Sequence, residues 1–357
     1  MTVQGPSPSG LTAVGAVAVH TFEARRTATH TETPHTHAMA PYEEDLQNGQ
    51  FYDPDAEYEP DPEYAATLAP DAARQRRERV GPTGRPLPYF PIPGPIAKHG
   101  PAQIIAMCNQ KGGVGKTTST INLGAALAEY GRRVLLVDFD PQGALSVGLG
   151  VNPMELDLTV YNLLMERGLA PDDVLLKTAV PGMDLLPSNI DLSAAEVQLV
   201  SEVARESTLQ RALKPLMGEY DYVIIDCQPS LGLLTVNALT AAHRVIVPLE
   251  CEFFALRGVA LLTETIEKVR ERLNPDLELD GILATMYDSR TVHSREVLAR
   301  VVEAFDDHVF HTVIGRTVRF PETTVAGEPI TTYASNSVGA AAYRQLAREV
   351  LARCHAE

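Results

Sequence analysis

The sequence predicts an α/β fold with a mostly parallel sheet and helices on both faces. Short, continuously apolar runs of strand length recur through residues 101–357, as expected of strands buried on both faces. Stretches with helical spacing lie between them, and strands that alternate with helices pair in parallel. Between the first run and the first helix lies Lys111-Gly-Gly-Val-Gly-Lys-Thr117, a glycine-rich turn of the kind that joins strand to helix around a phosphate.

The elements follow in order. Residues 103–108 read as the first buried strand and 116–130 as the first helix, with Gly131 at the position where a left-handed residue closes a helix. Residues 134–138 form the second strand and end in an acid. Further strands are expected at 183–187, 222–226, 244–248 and 281–286. Val259, Leu262, Ile266, Val269 and Leu273 recur at spacings of 3, 4, 3 and 4, one apolar face of a helix. Ligands of parallel sheets sit beyond the carboxyl ends of the strands, so the loops after Cys108, Val137 and Ile225 should converge on one site.

The first hundred residues differ from the rest. They hold 14 of the 26 prolines and 5 of the 10 histidines, an acidic stretch with tyrosines over 42–64, and the run Pro86-Leu-Pro-Tyr-Phe-Pro-Ile-Pro-Gly-Pro95. Proline at this density blocks helix and strand, and the sparse apolar content cannot offset the entropy of ordering. The expected organisation is a disordered acidic tail and spacer over 1–100, followed by one domain over 101–357.

The net charge of −16 argues against a bulk polyanion binder, so any DNA contact needs a local basic patch. Cys108, Cys227, Cys251 and Cys354 show no CxxC spacing, which points away from structural zinc or a disulfide framework and toward a reducing cytoplasm. No run reaches the length of a membrane span. Residues 11–19 are short and follow no positive residue, so a secretory leader is not expected.

The chemistry starts at the glycine-rich turn. Gly112, Gly113 and Gly115 allow backbone N–H groups, including that of Val114, to turn around phosphate oxygens, and the helix beginning at Lys116 aims its positive end there. Lys116 should reach the β- and γ-phosphates of ATP. The Thr117 hydroxyl should ligate Mg²⁺, and Thr118 follows it in the same turn. Gln110 stands where the general phosphate-loop pattern has its first glycine, and Lys111 adds a second lysine. Asp226 ends an apolar strand, the place of an acid that holds Mg²⁺. Asp138 and Asp140 flank Phe139. Strand alternation puts them on one side, where one reaches the metal sphere and the other orients the attacking water.

These segments, with Val134-Leu-Leu-Val-Asp-Phe-Asp-Pro-Gln-Gly143 and Tyr222-Val-Ile-Ile-Asp-Cys-Gln-Pro-Ser-Leu-Gly232, resemble the ParA (Soj-like) partition ATPases of the deviant-Walker (SIMIBI) class, which also contains MinD. The resemblance runs from about Ile104 to Ala352. It includes Val247-Pro-Leu-Glu-Cys-Glu-Phe-Phe-Ala-Leu256 and Thr285-Met-Tyr-Asp-Ser-Arg-Thr291. It implies that Lys111 is a signature lysine reaching the partner's nucleotide in an ATP-sandwiched homodimer. It also implies that Gly112 lies at the close dimer contact and that Asp140 is needed for hydrolysis. It further implies ATP-dependent, sequence-independent DNA binding on the nucleoid, and slow hydrolysis stimulated by a ParB-like centromere-binding partner. Arg290, Arg316 and Arg319 match basic positions of the family, and Arg290 and Arg319 match those associated with DNA. Basic residues that the family often carries are replaced here by Ala326, Glu328, Asn336 and Val338.

A MinD-like membrane organiser would need a basic amphipathic C-terminal helix. Tyr343, Leu346, Ala347, Val350 and Leu351 do form one apolar stripe, but its polar face is of mixed charge, so packing on the domain and no membrane contact are expected. A cluster-bridging electron carrier and a tyrosine kinase lack the cysteine and tyrosine patterns they need. A ParA-like scaffold that positions another cargo through the tail remains the alternative to chromosome or plasmid partition.

Overall fold

The computed structural model describes residues 80–252 and 255–354. Strands β1 (Gln103–Met107), β2 (Val134–Phe139), β3 (Leu176–Lys177), β4 (Met183–Leu186), β5 (Tyr222–Cys227), β6 (Arg244–Glu250) and β7 (Glu278–Thr285) form one sheet in the order β3-β4-β2-β5-β1-β6-β7. Every pairing is parallel except β3 with β4. The six expected strands are present. The two-residue edge strand β3 was not anticipated, because so short a segment has no period to read.

Alternation along the strands separates two cores. Ile104 and Ala106, Leu135 and Val137, and Val223 and Ile225 face one side. There they meet α2 (Leu233–Ala241), α3 (Ala255–Arg272) and α4 (Val292–Phe305). Ile105 and Met107, Val134 and Leu136, and Tyr222 and Ile224 face the other side, toward α1 (Lys116–Glu129) and the C-terminal helix. Val259, Leu262, Ile266 and Val269 of the expected apolar face are all buried, while Leu273 lies just past the end of α3 and is partly exposed. Gly131 has φ +73° and closes α1, as its position in the sequence suggested.

The C-terminal helix, Val338–Cys354, buries the whole stripe of Tyr343, Leu346, Ala347, Val350 and Leu351 against the sheet. Its Tyr343 hydroxyl lies 3.1 Å from Ser119 Oγ on α1. The apolar face is therefore spent on the domain. Among the described residues no helix is long and apolar enough to cross a membrane.

Residues 80–100 differ from the expectation that they belong to a disordered tail. Arg85 donates to the carbonyl of Asp306 at 2.8 Å, Arg132 donates to the carbonyl of Gly94 at 3.0 Å, and the Gly100 N–H donates to Asp221 at 3.0 Å. His99 Nδ1 lies 2.8 Å from Asp221 Oδ2. These polar contacts, an arginine on each side and the Asp221 carboxylate, seat the proline-rich segment without the apolar burial that composition measures. The remainder of the expected tail, residues 1–79, lies outside the described residues.

Helix α1 lies tight against β2 because of a glycine. A Cβ at Gly124 would stand 2.7 Å from Leu136 Cδ2 and 3.3 Å from Met183 Sδ. Since α1 carries Lys116 and Thr117, this contact sets the site's depth. Gly124→Val should lower unfolding stability by about 1–3 kcal/mol and weaken nucleotide binding with it, as urea titration and nucleotide titration would register.

Candidate functional site

Met107 of β1 and Asp138 of β2 both pair with Asp226 of β5, so the three strands finish level. The loops that follow open at one place beyond their carboxyl ends. Gly113 (φ +75°) and Gly115 (φ +86°) bend the first loop through left-handed conformations closed to most side chains. Two long-range contacts fix it. Asn109 Nδ2 donates to the Pro248 carbonyl at 2.7 Å, and the Thr285 hydroxyl donates to the Val114 carbonyl at 2.8 Å. The loop is thus held from β6 and β7, the strands on its far side. Gly112 is exposed, with nothing near a notional Cβ.

The two lysines diverge. Lys116 is buried and donates to the Lys111 carbonyl at 3.2 Å, arching back over its own loop. Lys111 turns outward instead, its amine 3.0 Å from Glu250 Oε2 and paired also with Glu252. Thr117 donates to Asp226 Oδ2 at 2.6 Å, and Thr118 follows it on the first turn of α1.

Asp138 and Asp226 are almost without solvent contact. Asp138 accepts from the Ser146 N–H at 2.8 Å and the Ser146 hydroxyl at 2.7 Å. Burial still pushes its carboxyl up to about 6. Asp226 is pushed up as well, by burial and then by the neighbouring Asp138, with Lys116 pulling the other way. Its Oδ1 has no hydrogen-bond partner among the described residues. A buried carboxylate with an unused oxygen, beside a threonine hydroxyl and below a phosphate loop, fits a hard divalent cation. Asp140 lies just beyond β2 and is partly exposed; its carboxylate accepts from the Gln142 N–H at 2.9 Å. Asp138 also accepts from the Asp140 N–H at 3.4 Å, so the two acids stay together at the end of β2, one buried and one partly exposed.

The three arginines are exposed, and each faces an acid. Arg290 grips Asp288 with two nitrogens at 2.9 and 2.8 Å, and holds that carboxyl down at about 2. Arg319, which opens helix α5 (Arg319–Ala326), pairs with Glu322 at 2.9 Å. Arg316 lies 3.4 Å from Glu250. Arg319 also lines a surface depression of about 530 Å³ with residues 333–337, which include Asn336. Glu250, Glu252 and Thr285 stand in sequence motifs that give them no role, and nothing in the sequence singles out Ser146. Only the alternation of acid and cysteine in Glu250-Cys-Glu252 hinted at a charged edge. Phe253 and Phe254 of that motif lie outside the described residues.

Comparison with known proteins gives a consistent set. A family model described as an AAA domain matches residues 102–279. A protein of Mycobacterium tuberculosis is 69% identical over 274 residues, covering 77% of this chain and 86% of its own. The chromosome partitioning protein ParA of Caulobacter vibrioides is 49% identical over 256 residues, covering 71% and 95%. A crystal structure of cobyrinic acid a,c-diamide synthase from Mycobacterium smegmatis, with bound ATP analog and magnesium, is 47% identical. It covers 71% of this chain and 96% of its own, with a TM-score of 0.64.

The carboxylate pair predicts a pH dependence. Both groups are raised in the folded state, so folding favours their protonated forms. Stability without metal is fully present below the ordinary carboxylate range near pH ~4. It declines as pH rises through about 6, where Asp138 ionises, and further as Asp226 follows. Asp226→Asn should then raise the melting temperature of metal-free protein by about 3 °C or more at pH 8, and by less at pH 5. A gain independent of pH would show that the carboxylate carries no such penalty.

Proposed function

Since this chain belongs to the ParA/Soj family of P-loop ATPases, we propose that it is an ATP-driven dimerising switch that binds DNA without sequence preference and serves chromosome or plasmid partition. The divergence of the two lysines carries this reading. Lys116 arches back over its own loop, while Lys111 is turned outward from the same loop. A lysine in that position is available to a nucleotide held by a second copy.

ATP with Mg²⁺ is the ligand. The N–H groups of Gly112, Gly113, Val114 and Gly115 and the first turn of α1 take the phosphates. Thr117 and Asp226, with Asp138 as their buried neighbour, would hold the metal, which would supply positive charge for phosphoryl transfer; the protein's part is to position and to exclude water. Asp140, partly exposed just beyond β2, orients the attacking water. The absence of a side chain at Gly112 leaves room for a second copy to approach. A ParB-like protein stimulates turnover and so dissolves the dimer.

Arg290 and Arg319 supply the DNA contact, with Arg316 between them in sequence. Phosphates must compete with Asp288 and Glu322 for them, which lowers affinity at a site already missing basic residues at 326, 328, 336 and 338. The segment before residue 80 serves as a docking arm for a scaffold or cargo, and the protein acts on the nucleoid in the cytoplasm. The buried C-terminal stripe speaks against the MinD-like membrane reading. ATP turnover stimulated by DNA and partner distinguishes this reading from the synthase activity named for the M. smegmatis neighbour.

Lys116→Ala should abolish ATP binding. Lys111→Ala should bind ATP yet fail to dimerise, with stimulated hydrolysis lower by about 10³-fold. Asp140→Ala should dimerise and stay trapped. Light scattering with ATP and phosphate release measure all three, and a Lys111→Ala protein that dimerises and turns over normally removes the trans-lysine claim. Replacing Arg290 and Arg319 with Glu should abolish ATP-dependent binding to unrelated duplexes while basal hydrolysis survives. Single replacements should flatten the salt slope by about one unit per lost phosphate contact. Equal binding by wild type and the double variant would move the DNA site elsewhere.

A further inference from the structure

Lys111 is exposed but not unattended. Its amine lies 3.0 Å from Glu250 Oε2 and 2.5 Å from Glu252 Oε2, and Arg316 Nη2 lies 3.4 Å from the other oxygen of Glu250. Four charged side chains from three places, the loop after β1, the end of β6 and the segment before α5, therefore meet at the outer edge of the phosphate loop. Solvent reaches them unequally: the side chains of Lys111 and Glu252 are 46% and 54% exposed, Arg316 66%, and Glu250 only 13%. Burial works against the charge on Lys111, but the hydrogen bonds to Glu252 and Glu250 outweigh it and hold the amine above its ordinary range. Glu252 is held below its own, first by the hydrogen bond from Lys111.

We propose that Glu250 and Glu252 form a latch that parks Lys111 on its own protomer, and that Arg316 is the counter-ion that takes over Glu250 when Lys111 leaves. The inference rests on the reading of Lys111 as a trans-acting lysine. A lysine that must reach a second copy's nucleotide must first give up both carboxylates. The apparent ATP affinity for dimerisation is then reduced by the fraction of molecules in which Lys111 is released. Exposed pairs are individually weak, so the latch sets a threshold and does not block the switch. Glu250 would be the costly member to abandon, because a poorly solvated carboxylate without a cation is destabilising. Arg316 removes that cost. It already touches Glu250, it is exposed enough to move, and its planar fork can close on a carboxylate with two nitrogens. This separates Arg316 from Arg290 and Arg319, whose acids, Asp288 and Glu322, lie two and three residues away on their own segments. Glu250 lies 66 residues from Arg316, at the nucleotide site. Arg316 is a positioning residue of the switch.

The test uses the full chain without DNA and reads the ATP concentration for half-maximal dimerisation by light scattering, at low and high salt. Glu252→Gln and Glu250→Gln should each lower that concentration by about threefold, and the gap from wild type should narrow as salt screens the latch. Arg316→Ala should raise it by about twofold, because Glu250 then belongs to Lys111 alone. Arg316→Ala combined with Glu250→Gln should match Glu250→Gln, since Arg316 has nothing left to compete for. Glu252 is exposed, so its variant should keep the wild-type melting temperature and report on the latch and not on folding. Wild-type thresholds for both Glu variants overturn the latch, and a wild-type threshold for Arg316→Ala overturns the role given to Arg316. Lys111→Ala separates the two levels. If it fails to dimerise while the Glu variants match wild type, the latch is wrong and the trans-lysine reading stands. If it dimerises like wild type, that reading falls and the latch with it.

Discussion

Two carboxylates that the fold has taken out of water set the terms for everything around them. Asp138 and Asp226 end neighbouring parallel strands, and the register of the sheet leaves them side by side. Ser146 satisfies one of them, while the other has Thr117 and an unused oxygen. Such a pair is expensive unless positive charge arrives. The positive end of α1, Lys116 and a divalent cation with its nucleotide are the available sources. A proton or a cation relieves the same cost, so the protonation of this pair and its affinity for positive charge are tied together.

How much of this was legible depends on the kind of signal. Strands buried on both faces write themselves as apolar runs, and all six such runs are strands. The phosphate loop and Asp226 were legible because both lie at a strand end, where parallel sheets gather ligands. The unequal burial of Asp138 and Asp140 was not, because β2 stops at Phe139 and Asp140 follows it into the loop. Thr285 and Glu250 act on residues 171 and 139 positions away, and no periodicity joins them. The seat of residues 80–100 was hidden for another reason: two main-chain carbonyls and the distant Asp221 hold it, and neither leaves a pattern in the segment's own composition.

The charge pattern has a similar division. A net charge of −16 suggested that DNA contact must be local. In the folded chain even the local arginines are answered by acids at salt-bridge distance. The Arg290–Asp288 and Arg319–Glu322 pairs lie at the surface and are screened, so they cost the chain little to keep and little to exchange. A polyanion meeting these arginines would have to compete with their acids, and small changes in the arrangement of a few side chains would move that balance.

Thr285 gives one of these contacts a mechanical meaning. Its hydroxyl holds the phosphate loop at Val114, and the chain then passes through Met286, at φ +50°, to Tyr287. Tyr287 exchanges backbone hydrogen bonds with Ile314 and Arg316. The loop that meets nucleotide and the two stretches that carry Arg290 and Arg316 are therefore parts of one short truss. A load applied at the loop has a single side-chain bond and a handful of backbone bonds to cross before it reaches the arginines. Such a frame is stiff over that span, and its compliance is concentrated at the strained joint of Met286.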